Sequence, residues 1–462
     1  MPFKPSGDIK TGFTLLLLGC VSVVLYRAGV TASGVGGIRF FMTVAFIQSA
    51  IYLVAVLIVT RARSSNSTLL IAIVFAVLFR VSILFSPPYL SDDIYRYIWD
   101  GRVQAAGINP YRYIPAAPEL AQLRDDTIYP KINRRDYAHT IYPPVAQVVF
   151  LLTTRISESV VWMKVTMVIF EMVAIWAIAS LLNLRGRPRQ LLLLYAWHPL
   201  VVWEFAGSGH VDAIAIGFIA LAFLAWQKRS DLGAGFLLAC ATLVKLFPLV
   251  LLPAMVKRWR IVPVFAATII AGYLAYLSVG PRAVLGSVPV YTQEMGVITG
   301  QQFYALSLVR KLFGWELPSI AYMIATVFIM GALALLVLLR RTEDYLKHAM
   351  LLATATTVLF APHFSWYFCW LVFFLCFTPR LAVFYLTIAN LFLYRTWLGD
   401  SPDEMFMINS VIYLPALLIA LVEWVAAPKA RNMTARGKRA AKRSASPLVK
   451  SPKPRPRPER PK

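Results

Sequence analysis

The chain has 462 residues, of which 59% are hydrophobic and 15% charged, with a mean hydropathy of +0.65. Soluble chains carry about 25% charged residues, so one or two ordinary water-soluble domains are excluded. The formal net charge is +24, and residues 428–462 hold thirteen Lys or Arg against the single acid Glu459, which is half of that total.

A bilayer core about 30 Å thick takes roughly 20 helical residues per crossing. Apolar runs predict spans at 12–29, 38–60, 68–86, 160–183, 190–205, 211–228, 260–280, 318–340, 345–361, 366–379, 381–397 and 408–427. The fold class expected is therefore an all-α polytopic membrane protein with about 12 transmembrane helices. Residues 233–256 add an apolar stretch interrupted by Lys245 and Pro248, which reads as a re-entrant hairpin of two half-helices. With that hairpin, all the basic loops fall on one side, the cytoplasmic one by the positive-inside rule. The four cysteines all lie in apolar runs, which excludes a disulfide framework.

Four regions follow: transmembrane helices over 1–88, a large first outer loop over 89–142, a transmembrane core over 143–427, and a basic tail over 428–462. The tail is Pro-rich near its end and has no apolar periodicity, so disorder on the cytoplasmic side is expected, held to anionic lipid headgroups. Nucleic acid is not an expected partner, because no folded nucleic-acid module accompanies the tail. The outer loop is 54 residues long, and its seven acids are balanced by seven bases. Loops of that length are functional or disordered, and the tyrosines spread through this one argue for order.

Chemistry-bearing residues cluster on the outer side. In Ser91-Asp92-Asp93-Ile94-Tyr95-Arg96-Tyr97, directly after Pro87-Pro88, a helix can start along the membrane surface. Its paired carboxylates read either as helix-capping acids or as a general base beside Arg96 and Tyr97. Glu204, His210 and Asp212 flank a glycine turn; their spacing matches no common zinc signature, and no metal is expected. His363, Trp366 and Tyr367 sit between two spans on the same face. Lys245 places a cation at the hairpin tip, where an anionic group such as phosphate is its natural partner. Arg80 and Glu171 read as a structural ion pair within the spans. Nucleotide-binding and serine-hydrolase motifs are lacking in a plausible context.

The stretches SDDIYRYIWDGRVQAAGINPYRY (91–113), TIYPPVAQ (140–147), WHPLVVWEFAGSGHVDA (197–213), LVKLFPLVLLP (243–253) and PHFSWYFCWL (362–371) resemble, in this order, the GT-C superfamily of polyprenol-phosphate-sugar-dependent glycosyltransferases. The resemblance is to bacterial mannosyltransferase-like members of glycosyltransferase family 87. It implies a GT-C-like fold in a bacterial inner membrane, with the active site on the non-cytoplasmic face. It further implies inverting transfer of a sugar, mannose by family, from a polyprenyl-phosphate donor to a glycolipid or glycan acceptor, without a cofactor. Asp93 matches the family's catalytic base, with Asp92 the close alternative. His363, with Lys245 or Arg96, would hold the donor phosphate, and Tyr142 falls in a matching stretch. Phe364-Ser365 and His198 depart from the family pattern. A transporter or lipid flippase is the competing reading of such a chain.

Overall fold

In the computed structural model, the described residues are 6–444 apart from 32–33, 64, 89, 287, 341–343 and 400. Among them every regular element is helical. Three long helices open the chain: α1 (Ser6–Val30), α2 (Gly34–Arg61) and α3 (Asn66–Leu84). Pro87 and Pro88 follow α3, and the amphipathic α4 (Asp93–Ala105) begins just beyond them. Short 3-10 turns carry the outer loop to α5 (Pro144–Ile156), which starts on a proline whose missing N–H costs nothing at that position. The Ser159 hydroxyl caps α6 (Val160–Leu184) by accepting a hydrogen bond from the Trp162 N–H.

The stretch expected to span at 190–205 is broken. A 3-10 turn leads into α7 (Leu193–Ala196); after His198 come α8 (Pro199–Val202) and a π-helix over Trp203–Ser208. Pro199 cannot donate back to the preceding turn, so the helix restarts there. From Leu192 to Ala206 the segment is buried, and irregular backbone is tolerated within a membrane protein when other protein covers it.

Next come α9 (Asp212–Gln227), α10 (Asp231–Thr242), a 3-10 segment over Phe247–Ala254, and α11 (Ile261–Leu274). The chain continues through α12 (Val288–Glu294), α13 (Tyr304–Phe313), α14 (Ser319–Leu339) and α15 (Tyr345–Phe360). It closes with α16 (Cys369–Leu375), α17 (Leu381–Ala389) and α18 (Pro402–Ser444).

Among the described residues seven helices are long and apolar enough to cross a membrane, each at an expected span: 10–30, 37–61, 66–84, 160–184, 319–339, 381–398 and 402–426. The other five expected spans are, among the described residues, shorter or broken helices. The stretch expected as a hairpin, 233–256, lies in two helical segments, α10 and the 3-10 segment. Its break falls at Leu243–Leu246, where the Leu243 carbonyl accepts hydrogen bonds from the Val145 and Ala146 N–H groups at the start of α5. Its ends meet, because Arg258 lies 3.2 Å from the Asp231 carboxylate and donates to the Trp226 carbonyl.

The composition of the tail predicted disorder from residue 428, yet α18 runs as helix to Ser444. The residues over 429–444 include no proline and are rich in alanine, arginine and lysine, all strong helix formers. The rest of the tail, 445–462, lies outside the described residues.

The core is built from α6, α9, the broken 190–208 segment and α16. Arg80 on α3 meets Glu171 on α6 as the expected buried pair, and its remaining donors reach the Ala76 and Ala196 carbonyls. Both partners are fully desolvated, so this contact fixes how the helices register more than it adds stability. None of the four cysteines forms a disulfide.

Candidate active site

α4 begins at Asp93 because Pro87 and Pro88 break α3 and Ser91 turns the chain: its hydroxyl accepts a hydrogen bond from the Asp93 N–H. The Asp92 carboxylate makes no capping bond to α4. Instead the Asn133 Nδ2 donates to Asp92 Oδ1 and Asp93 Oδ1, at 2.8 Å each. Both carboxylates are thus clamped from across the outer loop rather than spent on capping bonds. Burial, reinforced by the Asp93 charge and opposed by the Asn133 hydrogen bond, raises the Asp92 carboxyl above its ordinary value.

The two aspartates line a cavity of about 400 Å³. Arg96, Tyr97, Tyr142, Lys245, Trp366 and Tyr367 from the sequence reading share that lining. Tyr97 is held by a stacked Phe150 with centroids 4.7 Å apart, and Tyr142 packs edge-on to it. Burial first, then the Asp93 charge, pushes both phenols well above their usual range, so each serves as a neutral hydrogen-bonding group.

Arg96 is partly committed elsewhere. It pairs with Asp100 at 2.8 Å and donates to the Ala138 carbonyl. Asp100 in turn accepts from Thr140 and Gln147, so the TIYPPVAQ stretch is tied to α4 through this buried carboxylate.

Lys245 reaches the cavity floor from the hairpin break. Its Nζ donates to both Asp212 oxygens, at 2.7 and 2.9 Å, and lies 4.2 Å from the Tyr367 ring centroid. Asp212 is thus the counter-ion of Lys245 and lies behind the wall. Glu204 and His210, expected as substrate-binding groups, lie off the lining of this cavity too. His210 Nδ1 is 2.7 Å from Glu204 Oε2, Glu204 also accepts from Tyr394, and the imidazole stacks on Trp366 with centroids 4.1 Å apart. Trp366 stacks with Phe364 as well, which makes it a rigid wall element. A π-helix carries Glu204 into this network; such segments favour functional sites.

His363 falls on a different surface. It lines a second cavity of about 450 Å³ with Leu246, Phe247, Val250, Phe360 and Trp370, largely apolar in character. The two cavities share Tyr291, Phe364 and Tyr367, and the Tyr291 and Tyr367 hydroxyls stand 2.9 Å apart at the divide.

Sequence reasoning missed Asn133, Arg134, His139, Tyr291 and Glu294, all on the first cavity. Arg134 adopts φ 53°, a conformation few side chains accept, and donates to Glu294 at 2.6 Å. Burial, with Arg96 nearby, lowers His139 below its usual value, so it stays neutral at pH 7. The one available signal was position: Asn133, Arg134 and His139 sit just before the TIYPPVAQ stretch.

Residues 16–261, just over half the chain, match the family described as alpha-(1->6)-mannopyranosyltransferase, N-terminal domain. The chain belongs to this family. The matched region carries Asp92, Asp93, Asn133, Tyr142 and Lys245, so it supplies most of the first cavity. No curated protein matches the chain significantly. Family membership makes the chain a glycosyltransferase of mannosyl type, and its long apolar helices make it a multi-pass membrane protein. Transport as its primary activity has no support from this membership.

Proposed function

We propose that the protein transfers mannose from a polyprenyl-phosphate donor to a hydroxyl of a glycolipid or glycan acceptor. The observation that carries this reading is the paired cavity. A polar chamber with Asp93 and Lys245 adjoins an apolar one across the Tyr291–Tyr367 divide. A lipid-linked sugar has the same two characters, with its phosphate between them.

In this reading the sugar occupies the polar chamber and the prenyl chain follows Leu246, Phe247 and Val250. Asp93 takes the proton from the acceptor hydroxyl as that oxygen attacks the anomeric carbon. The bond to the phosphate oxygen breaks, and the leaving prenyl phosphate gains charge beside Lys245 and Arg134. Preorganised cations at a developing charge lower the barrier because they need no rearrangement during reaction. Asp92, close to Asp93 and raised above the ordinary carboxyl value, shapes the local field. A single displacement inverts the anomeric centre, so an α-linked product requires a β-linked donor.

The hairpin and the basic loops support an orientation in which Asp93 faces the outside of a bacterial inner membrane and the C-terminal tail faces the cytoplasm. With the hairpin re-entrant, every basic loop stays on one side. No cofactor enters this scheme beyond the donor itself.

The test is transfer by purified protein in lipid nanodiscs supplied with polyprenyl-phosphate mannose, polyprenyl-phosphate glucose or a nucleotide-linked mannose. Transfer from the first, with inversion seen by NMR of the product, is the expected result. Transfer directly from the nucleotide sugar overturns the donor class, and retention overturns the single displacement.

A further inference from the structure

A third cavity, of about 650 Å³, lies where α9 ends, the hairpin closes and α15 begins. It is remote from the aspartates. Asp212 at the start of α9 touches Lys245, whereas Gln227 at its end lines this third cavity. The 16 residues between them rise about 24 Å. α15 spans the same distance, with Tyr345 on this cavity and Phe360 on the apolar one.

The lining carries Arg185, Arg229, Lys257 and Arg258 against the single carboxylate of Asp344. Its floor is aromatic: the Trp226 and Tyr345 centroids are 3.9 Å apart, with the Arg258 guanidinium 4.2 Å from the Trp226 centroid and that of Arg185 5.2 Å from Tyr345. Arg258 and Arg185 have carboxylate partners in Asp231 and Asp344. Arg229 pairs with no acid among the described residues.

The backbone at Arg229 is a second, independent sign. Its N–H donates to the Trp226 carbonyl and the Ser230 N–H to the Ala225 carbonyl, with φ of 61° at Arg229. That is the left-handed helix stop for which glycine is the usual residue. α6 ends in the same pattern, and there the position is Gly186, at φ 63°. At the end of α9 the chain accepts a strained arginine instead and thereby holds a guanidinium at the cavity. Strain kept at one position of a site points to a use for the side chain.

We propose that this cavity binds a phosphate group, presented by an anionic lipid headgroup at that membrane surface or by a soluble phosphate compound. Four cations against Asp344 in the lining and Asp231 beside Arg258 leave a positive balance, and guanidinium forks match phosphate oxygens in pairs. Basic pockets between helices at a membrane surface take anionic headgroups by this chemistry. The site is separate from the transfer chemistry and does not depend on the donor assigned above.

The full chain is placed in nanodiscs of mixed phosphatidylglycerol and phosphatidylcholine. Lipid retention is read by native mass spectrometry, and pyrophosphate binding by thermal shift. Arg229→Gly and Lys257→Gln probe the cavity; Lys228→Gln, an exposed neighbour outside the lining, removes the same charge elsewhere. Arg229→Gly weakens binding about ten-fold while its ligand-free melting temperature stays equal or rises, because strain is relieved. Lys257→Gln weakens binding likewise, and Lys228→Gln leaves it unchanged. Retention of phosphatidylglycerol without a pyrophosphate shift assigns the headgroup, and the reverse assigns a soluble phosphate. Phosphatidylglycerol retained no better than phosphatidylcholine with no pyrophosphate shift, or equal losses in Lys228→Gln and Arg229→Gly, overturns the proposal.

Discussion

Asp93→Asn separates the base from its scaffold. The substitution keeps the shape of the side chain and one carbonyl oxygen, which can still accept the 2.8 Å hydrogen bond from Asn133. The start of α4 and the cavity wall should therefore persist. What disappears is the proton acceptor. General-base assistance is worth about 10²–10⁴-fold, or about 2.7–5.5 kcal/mol of barrier at 1.36 kcal/mol per decade. Asp92→Asn should cost less than about ten-fold, since Asp92 is the more exposed of the two and is not assigned the proton transfer. Initial rates of mannose transfer in nanodiscs, with kcat and KM resolved, make the comparison. The loss in Asp93→Asn should fall on kcat, with KM within about three-fold of the parent. A rate within five-fold or so of wild type would refute the role of Asp93, and a large loss confined to Asp92→Asn would move the base to its neighbour.

Other consequences follow from the packing. Lys245→Met leaves the buried Asp212 carboxylate without its counter-ion, and thermal unfolding should show about 3–5 kcal/mol of lost stability. Lys245→Met/Asp212→Leu should regain the fold but not the transfer rate; a single variant with full stability and full rate contradicts this. Gly101→Ala would set a Cβ 2.5 Å from the Phe150 carbonyl oxygen, pushing α4 from α5, and should lower stability by about 1–3 kcal/mol. Acid should loosen the outer loop. Burial alone would raise Asp125, but the Arg102 hydrogen bond and the Tyr129 and Ile128 N–H groups outweigh it and hold its carboxyl well below the usual range. A depressed folded value gives stability that is present above the unfolded value, about 4, and is lost as pH falls below it. Limited proteolysis of the loop should quicken below about pH 4, and Asp125→Asn should flatten that dependence.

Much of the site was readable because its signals are local. Pro87-Pro88 and the following polar-aromatic pattern mark the start of α4, and helical spacing puts Asp93 and Tyr97 on one face. Proline beside Lys245 marks the hairpin break. By contrast, Glu204, His210 and Asp212 looked like wall residues because each lies near a glycine turn on the right side. Burial decided otherwise, since His210 stacks behind Trp366 and Asp212 neutralises Lys245. Asn133 and Tyr291 could not be read in advance: their roles depend on where two irregular outer segments fold back onto α4 and onto Tyr367.

The sequence alone determined the solvent, the main helices and the order of the motifs, because hydropathy and helix-breaking residues act over a few turns of chain. Tertiary structure alone decided which charges are paired and which are presented to a cavity. Lys245 and Asp212 are 33 residues apart, and Asn133 stands 40 residues from Asp93. At such separations contact depends on how whole helices pack, and in a low-dielectric interior that contact fixes whether an ionisable group acts on a ligand or balances a neighbour.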